Sequence, residues 1–182
     1  MSSPLTSAQV IARLDATRDR LVDGLETLSD DQWGWSPDPR IWSAAHIAEH
    51  LAVVNFGTSR LLTERFETLE PASFTAEQQA RKDAMIAPAV ANRGIKMEAP
   101  ANLRPKSRWG TRAEIMSKLL SARDAITNAV RNTTVDLRTR KAPHPALGTL
   151  DGLQWALFAA EHDERHMTQL DELRQHPDFP AS

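Results

Sequence analysis

Residues 149–175 read TLDGLQWALFAAEHDERHMTQLDELRQ, and the fold is decided here. At about 100° per residue, Trp155, Ala159, His162, His166, Gln169 and Leu173 form one stripe. An apolar stripe of this period predicts a helix rather than a strand, and Pro177 prevents its continuation. His162 and His166 are four residues apart, so one helical turn brings both imidazoles to the same face. Asp163, Glu164 and Arg165 fill the gap between them and point to other faces, which leaves the two histidines among apolar neighbours.

The same period recurs upstream. Val10, Leu14, Leu21, Leu25 and Leu28 predict a first helix over about residues 7–28, opened by a capping box of Thr6 and Gln9. Ser29 with Gln32 opens a short turn through Trp33 and Trp35, which SPDPR then breaks. A second long helix runs from about Ser43, its N-cap, to about Leu69. A third starts at Thr111 with Glu114 and ends near Thr134, with Ile115, Leu119, Ala122, Ile126 and Ala129 on its buried side. The fourth begins near Thr149. Four amphipathic helices and no alternating strand pattern predict an all-α protein, a four-helix bundle in a single domain over 1–182. The connection at about 70–110 is a long crossover between the second and third helices. It holds Pro71, Pro88, Pro100 and Pro105, and a short helix in TAEQQARKDAMIA capped by Thr75 and Gln78. LRTRKAPHPALG reads as a loop, and the residues after about 176 as a loose tail.

Composition narrows the function. With 182 residues, 41% hydrophobic and 25% charged, the chain is long enough for one real core. A net charge of −2 argues against a polyanion-binding surface, so nucleic acid is not expected as a partner. No long uncharged apolar run predicts a membrane span, and Asp and Arg interrupt the N-terminus where a signal-peptide core would lie, so a cytoplasmic location is expected. Cysteine is absent, which excludes disulfides, thiolate metal ligands and a thiol nucleophile. Tyrosine is absent too, and no glycine-rich phosphate loop is present. Any bound metal must rely on His, Asp or Glu.

The third candidate ligand is on the second helix. Ile47, His50, Val54, Gly57 and Leu61 form its central stripe, and Gly57 would admit a close neighbour. His46, one turn before His50, is rotated toward the edge near Glu64 and reads as peripheral. Three inward imidazoles on two helices pose a choice. Either each is a separately hydrogen-bonded core residue, or all three share a metal that satisfies them together. Three protein ligands with open positions is the pattern of a catalytic metal. His144, in the Pro-rich loop, reads as a solvated residue near the mouth, and His176 as exposed. Trp42, Trp109 and Trp155 read as packing residues, with Trp155 also placed to wall a pocket; Gln169 and Asn55 are candidates to orient a ligand or a histidine nitrogen. Arg93, Lys96, Arg104, Lys106 and Arg108 give the connection a basic bias.

Trp42-Ser43, followed by His50 seven residues after the serine, and the late His162-x-x-x-His166 helix with Gln169 behind it, resemble the DinB-like (DinB/YfiT-type) superfamily of four-helix metalloproteins. The similarity runs from the first helix to about Leu173. It implies that His50, His162 and His166 bind a divalent transition metal, zinc or nickel. It also implies a homodimer and, as in some members, a thiol-dependent S-transferase acting on a small-molecule substrate with a low-molecular-weight thiol as co-substrate. A chain without cysteine would need its thiolate from such a co-substrate. Two alternatives stand beside this: a metal-dependent hydrolase using metal-activated water, and a non-catalytic, metal-binding or metal-free, stress-associated dimeric bundle. No carboxylate is singled out as a general base, because Glu161 and Glu164 project to other faces, and no catalytic residue is assigned.

Overall fold

Each of the six α-helices among the described residues opens on a side chain that accepts the N–H three residues on and is answered by the residue at that position. A computed structural model describes residues 3–92 and 98–181. The helices are α1 (Ser7–Glu26), α2 (Asp30–Gly34), α3 (Ala44–Thr63), α4 (Ala76–Ala91), α5 (Arg112–Asn132) and α6 (Gly152–Arg174). The boxes read from Thr6, Ser29, Thr75 and Thr111 all form. Ser43 caps α3 with His46 as the answering residue, so His46 is held at the helix entrance.

α1 packs on α5 and α6, and α3 packs on the same two, which closes a four-helix bundle. α4, longer than the short helix expected, lies against the outer side of α6 and carries the crossover. The protein is therefore all-α in class, as the periodicity predicts. No helix among the described residues is long and apolar enough to cross a membrane.

Three short strands were not foreseen: β1 (Glu70–Pro71), β2 (Arg140–His144) and β3 (Gly148–Asp151), antiparallel in that order. Pro143 and Pro145 disguise the hairpin as loop. Pro143 is tolerated because β1 pairs only with Arg140 and Lys141, leaving no ladder bond at 143 on that side. β3 also takes Thr149 out of the last helix, whose N-cap is Asp151. Gly152 must be glycine there, since a Cβ would meet the Phe66 ring at 2.5 Å and the Leu137 carbonyl at 2.8 Å. The segment after α6 is not loose either: Phe179 packs edge-on against Trp35, and Gln32 Nε2 donates to the Pro180 carbonyl. His176, expected as exposed, is partly covered by Trp35, with ring centroids 5.2 Å apart.

The core divides in two. One cluster holds Leu14, Val54, Ile126 and Leu157; the other holds Leu21, Leu51, Leu119 and Leu170. Between them lies a buried polar layer with one side chain from each bundle helix. Arg123 Nε (α5) donates to Asp163 Oδ2 (α6) at 2.5 Å, Asn55 Nδ2 (α3) donates to Asp163 Oδ1 at 2.9 Å, and Arg123 Nη2 donates to Thr17 Oγ1 (α1) at 2.7 Å. Neither side chain of the Arg123–Asp163 pair is exposed at all. Burial pushes the Asp163 carboxyl up, and the guanidinium and the Asn55 amide pull it back.

Candidate metal centre

His50 comes from α3, and His162 and His166 from successive turns of α6. Their ring centroids are 5.1, 4.8 and 4.6 Å apart, and one nitrogen from each lies within 4.8 Å of the others, so the three can hold a metal ion. By whole-residue exposure His50 and His166 are buried and His162 is half-buried.

Hydrogen bonds on the far side of two rings aim them. The Leu103 carbonyl, 2.8 Å from His50 Nδ1, can only accept, so Nδ1 carries the proton and Nε2 presents its lone pair. Gln169 Oε1, 2.9 Å from His166 Nδ1, aims that ring the same way, the role foreseen for Gln169. His50 Nε2 and His162 Nε2 face each other at 3.4 Å. Two nitrogens bound to one tetrahedral zinc at about 2.0–2.1 Å would be about 3.4 Å apart. His162 Nδ1 is buried with no hydrogen-bond partner among the described residues. Without an ion, His162 Nε2–H donating to His50 would account for the same distance, so the geometry fits a metal without requiring one.

Electrostatics favour neutral rings. Burial pushes His50 down, with Arg108 helping and the Leu103 carbonyl opposing. His162 lies well below its ordinary range, through burial first and then the neighbouring His166 and His50. Neutral imidazole is the form that ligates metal. The nearby carboxylates are already engaged: Glu161 with Arg13, Glu164 with Arg20, and Asp163 with Arg123.

Several neighbours differ from the sequence reading. Trp42 lies over the cluster, 4.9 Å from His50 and 6.0 Å from His166 by ring centroids, which a packing role alone did not foresee. Asn55 serves the buried Asp163 rather than a histidine. Gly57 is exposed, with nothing within 4 Å of a built Cβ, so it admits no close neighbour. Trp155 packs beside His144 and Phe158, and Phe158 in turn lies 5.3 Å from His162. Of the basic residues, Arg104 pairs with Glu98 and Arg108 with Glu49, while Arg93 and Lys96 lie outside the described residues.

His144 is the clearest correction. It is 9% exposed rather than solvated, its Nδ1 accepts the N–H groups of Ala146 and Leu147, and its ring is 4.3 Å from Phe158. The hairpin fold buries it, and burial depresses its pKa from 6.5 to about 4. Between those values the unfolded chain takes a proton that the native state refuses, so stability falls as pH drops through this window and then levels off. His144→Asn keeps an acceptor for the two N–H groups but cannot titrate. Its loss of unfolding free energy between about pH 7 and about pH 4.5, by urea titration, is expected to be about 1–3 kcal/mol smaller than that of the wild-type protein. Equal losses would show that His144 is not held neutral.

A bundle with three convergent histidines on its second and last long helices is the class of protein that fold and site define. Residues 13–170 match the model of the DinB superfamily, and the chain belongs to that superfamily. It is 24% identical over 151 residues to the uncharacterized protein YuaE of Bacillus subtilis (strain 168), covering 83% of this chain and 88% of YuaE. The crystal structure of TT2238, described as a four-helix bundle protein, superposes with a TM-score of 0.59 at 21% identity, covering 92% of this chain and 99% of that one. That likeness bears on the fold alone.

Proposed function

We propose that the protein binds one divalent transition metal, zinc or nickel, through His50, His162 and His166, and that it is a metal-dependent enzyme, with thiol-dependent S-transfer to a small electrophile as the leading reaction. The observation that carries this is the convergence of three ligand nitrogens within 4.8 Å, with two of the rings aimed by partners on their outer nitrogens. When bound, an ion with three neutral ligands keeps its charge and holds a thiol as thiolate. The chain's own residues would then provide the frame. Trp42 shields His50 and His166 from water, and Phe158 packs beside His162. The absence of cysteine assigns the thiol to a co-substrate. The engagement of Glu161, Asp163 and Glu164 in ion pairs leaves none of these three as a free base for water, which favours transfer over hydrolysis. The homodimer implied by the family belongs to the same proposal and is checked by sedimentation.

The test is turnover of an electrophile with glutathione or another low-molecular-weight thiol by untagged protein of known metal content. Activity is expected to vanish on chelation and return with zinc or nickel. Bound metal without thiol-dependent turnover would leave a binder rather than a transferase, and no metal uptake at all would remove both.

A further inference from the structure

Glu49, the residue before His50, is an acid in the middle of an apolar helix, and its side chain is only 3% exposed. Its carboxylate is filled by one short segment far along the chain. Lys106 N–H and Arg108 N–H donate to Oε1 at 2.8 and 3.2 Å, Ser107 N–H donates to Oε2 at 3.0 Å, and Arg108 Nη1 adds a charged bond at 2.7 Å. Three successive backbone N–H groups can converge on one anion only if the chain turns sharply into a nest. Ser107 makes that turn with φ 53°, the only positive φ at a non-glycine residue among those described. Arg108 ties off the loop by also donating to the carbonyls of Arg104 and Asn102. Inside this closed loop sits Leu103, whose carbonyl receives His50 Nδ1–H.

Adjacent residues of α3 are thus held by the same loop, one by its N–H groups and the other by its carbonyl. We propose that Glu49 and Arg108 are positioning residues for His50: by clamping residues 102–108 they place the Leu103 carbonyl that sets the tautomer and direction of the imidazole. This rests on the proposed metal role of His50 for its purpose, but its physical content can be read on metal-free protein. Glu49 touches neither substrate nor ion; it acts through the loop. A merely structural anchor would lower stability without changing which nitrogen of His50 carries the proton.

The experiment records imidazole 15N spectra of the metal-free protein, together with zinc affinity by competition. In the wild-type protein His50 is expected as the Nδ1–H form. In Glu49→Gln, which keeps the shape but not the charge, the His50 signals should move toward averaged tautomers and zinc affinity should fall about 10–100-fold. His166 should be unmoved, because its partner Gln169 is on its own helix. Arg108→Ala removes a partly exposed side chain from the same clamp and should act in the same direction, giving the answer if Glu49→Gln fails to fold. Glu161→Gln breaks another buried carboxylate's ion pair, with Arg13, and should leave His50 unchanged. Unaltered His50 signals in the folded clamp variants would overturn the proposal. Shifted signals in a protein whose wild type takes up no zinc would keep the positioning role and remove the metal reading.

Discussion

His162→Ala is expected to leave the purified protein with less than about a tenth of an equivalent of transition metal, because a site of three protein ligands does not survive on two. Its Nε2 is 3.4 Å from that of His50, so its loss removes one of two nitrogens already at the spacing of zinc ligands. The fold should tolerate the change: His162 Nδ1 has no hydrogen-bond partner among the described residues, and His50 keeps its bond to the Leu103 carbonyl when the Nε2 of His162 is lost. Loss of metal and loss of structure can therefore be told apart. Elemental analysis of untagged protein reads the first, and thermal unfolding with and without zinc reads the second. At a free zinc concentration 100 times its Kd, the wild-type protein should gain about 2.7 kcal/mol and the variant almost nothing. His46→Ala is the matched control: it removes an exposed imidazole that only completes the α3 cap, so metal content should hold while stability falls by about 1 kcal/mol. Full metal retention by His162→Ala would falsify the ligand assignment.

The second large effect concerns the polar layer. Arg123→Met should cost about 3–5 kcal/mol, because it leaves the Asp163 carboxylate buried without its counter-charge. Asp163 also accepts from Asn55, and Arg123 also reaches Thr17 and the Leu14 carbonyl, so the one change loosens contacts of all four bundle helices. Adding Asp163→Leu to Arg123→Met should recover part of the loss by removing the stranded charge, although Asn55 then lacks its acceptor. Urea unfolding of the single and double variants makes the comparison. A single variant within about 1 kcal/mol of wild type would mean that the pair contributes little. Asp163 lies between the two α6 ligands, so the layer also fixes the rotation that presents His162 and His166 to α3.

The two halves of this architecture differ in how visible they were. Helix caps and apolar stripes act over three or four residues, so Thr6, Ser29, Thr75 and Thr111 were readable as boxes, and His50 could be separated from His46 by helical angle. Gln169 was readable for the same reason, one turn from the ring it orients. Asp163 was read as turned away from the histidine face, as it is, but its burial was not readable, because an acid on a helix looks the same whether it meets water or Arg123, which is 40 residues away. The hairpin that buries His144 was hidden by its two prolines and by strands too short to show alternation.

The sequence by itself therefore determined four amphipathic helices, three histidines turned inward on two of them, and the chemical limits set by a chain without cysteine or tyrosine. Only the tertiary structure decided that Leu103 offers its carbonyl to His50, that Glu49 and Arg108 hold the loop that carries it, and that Trp42 covers the cluster. The reason is physical. A backbone carbonyl or N–H has the same chemistry at every residue but proline, so what it binds is set by where the folded chain passes rather than by which side chain it bears.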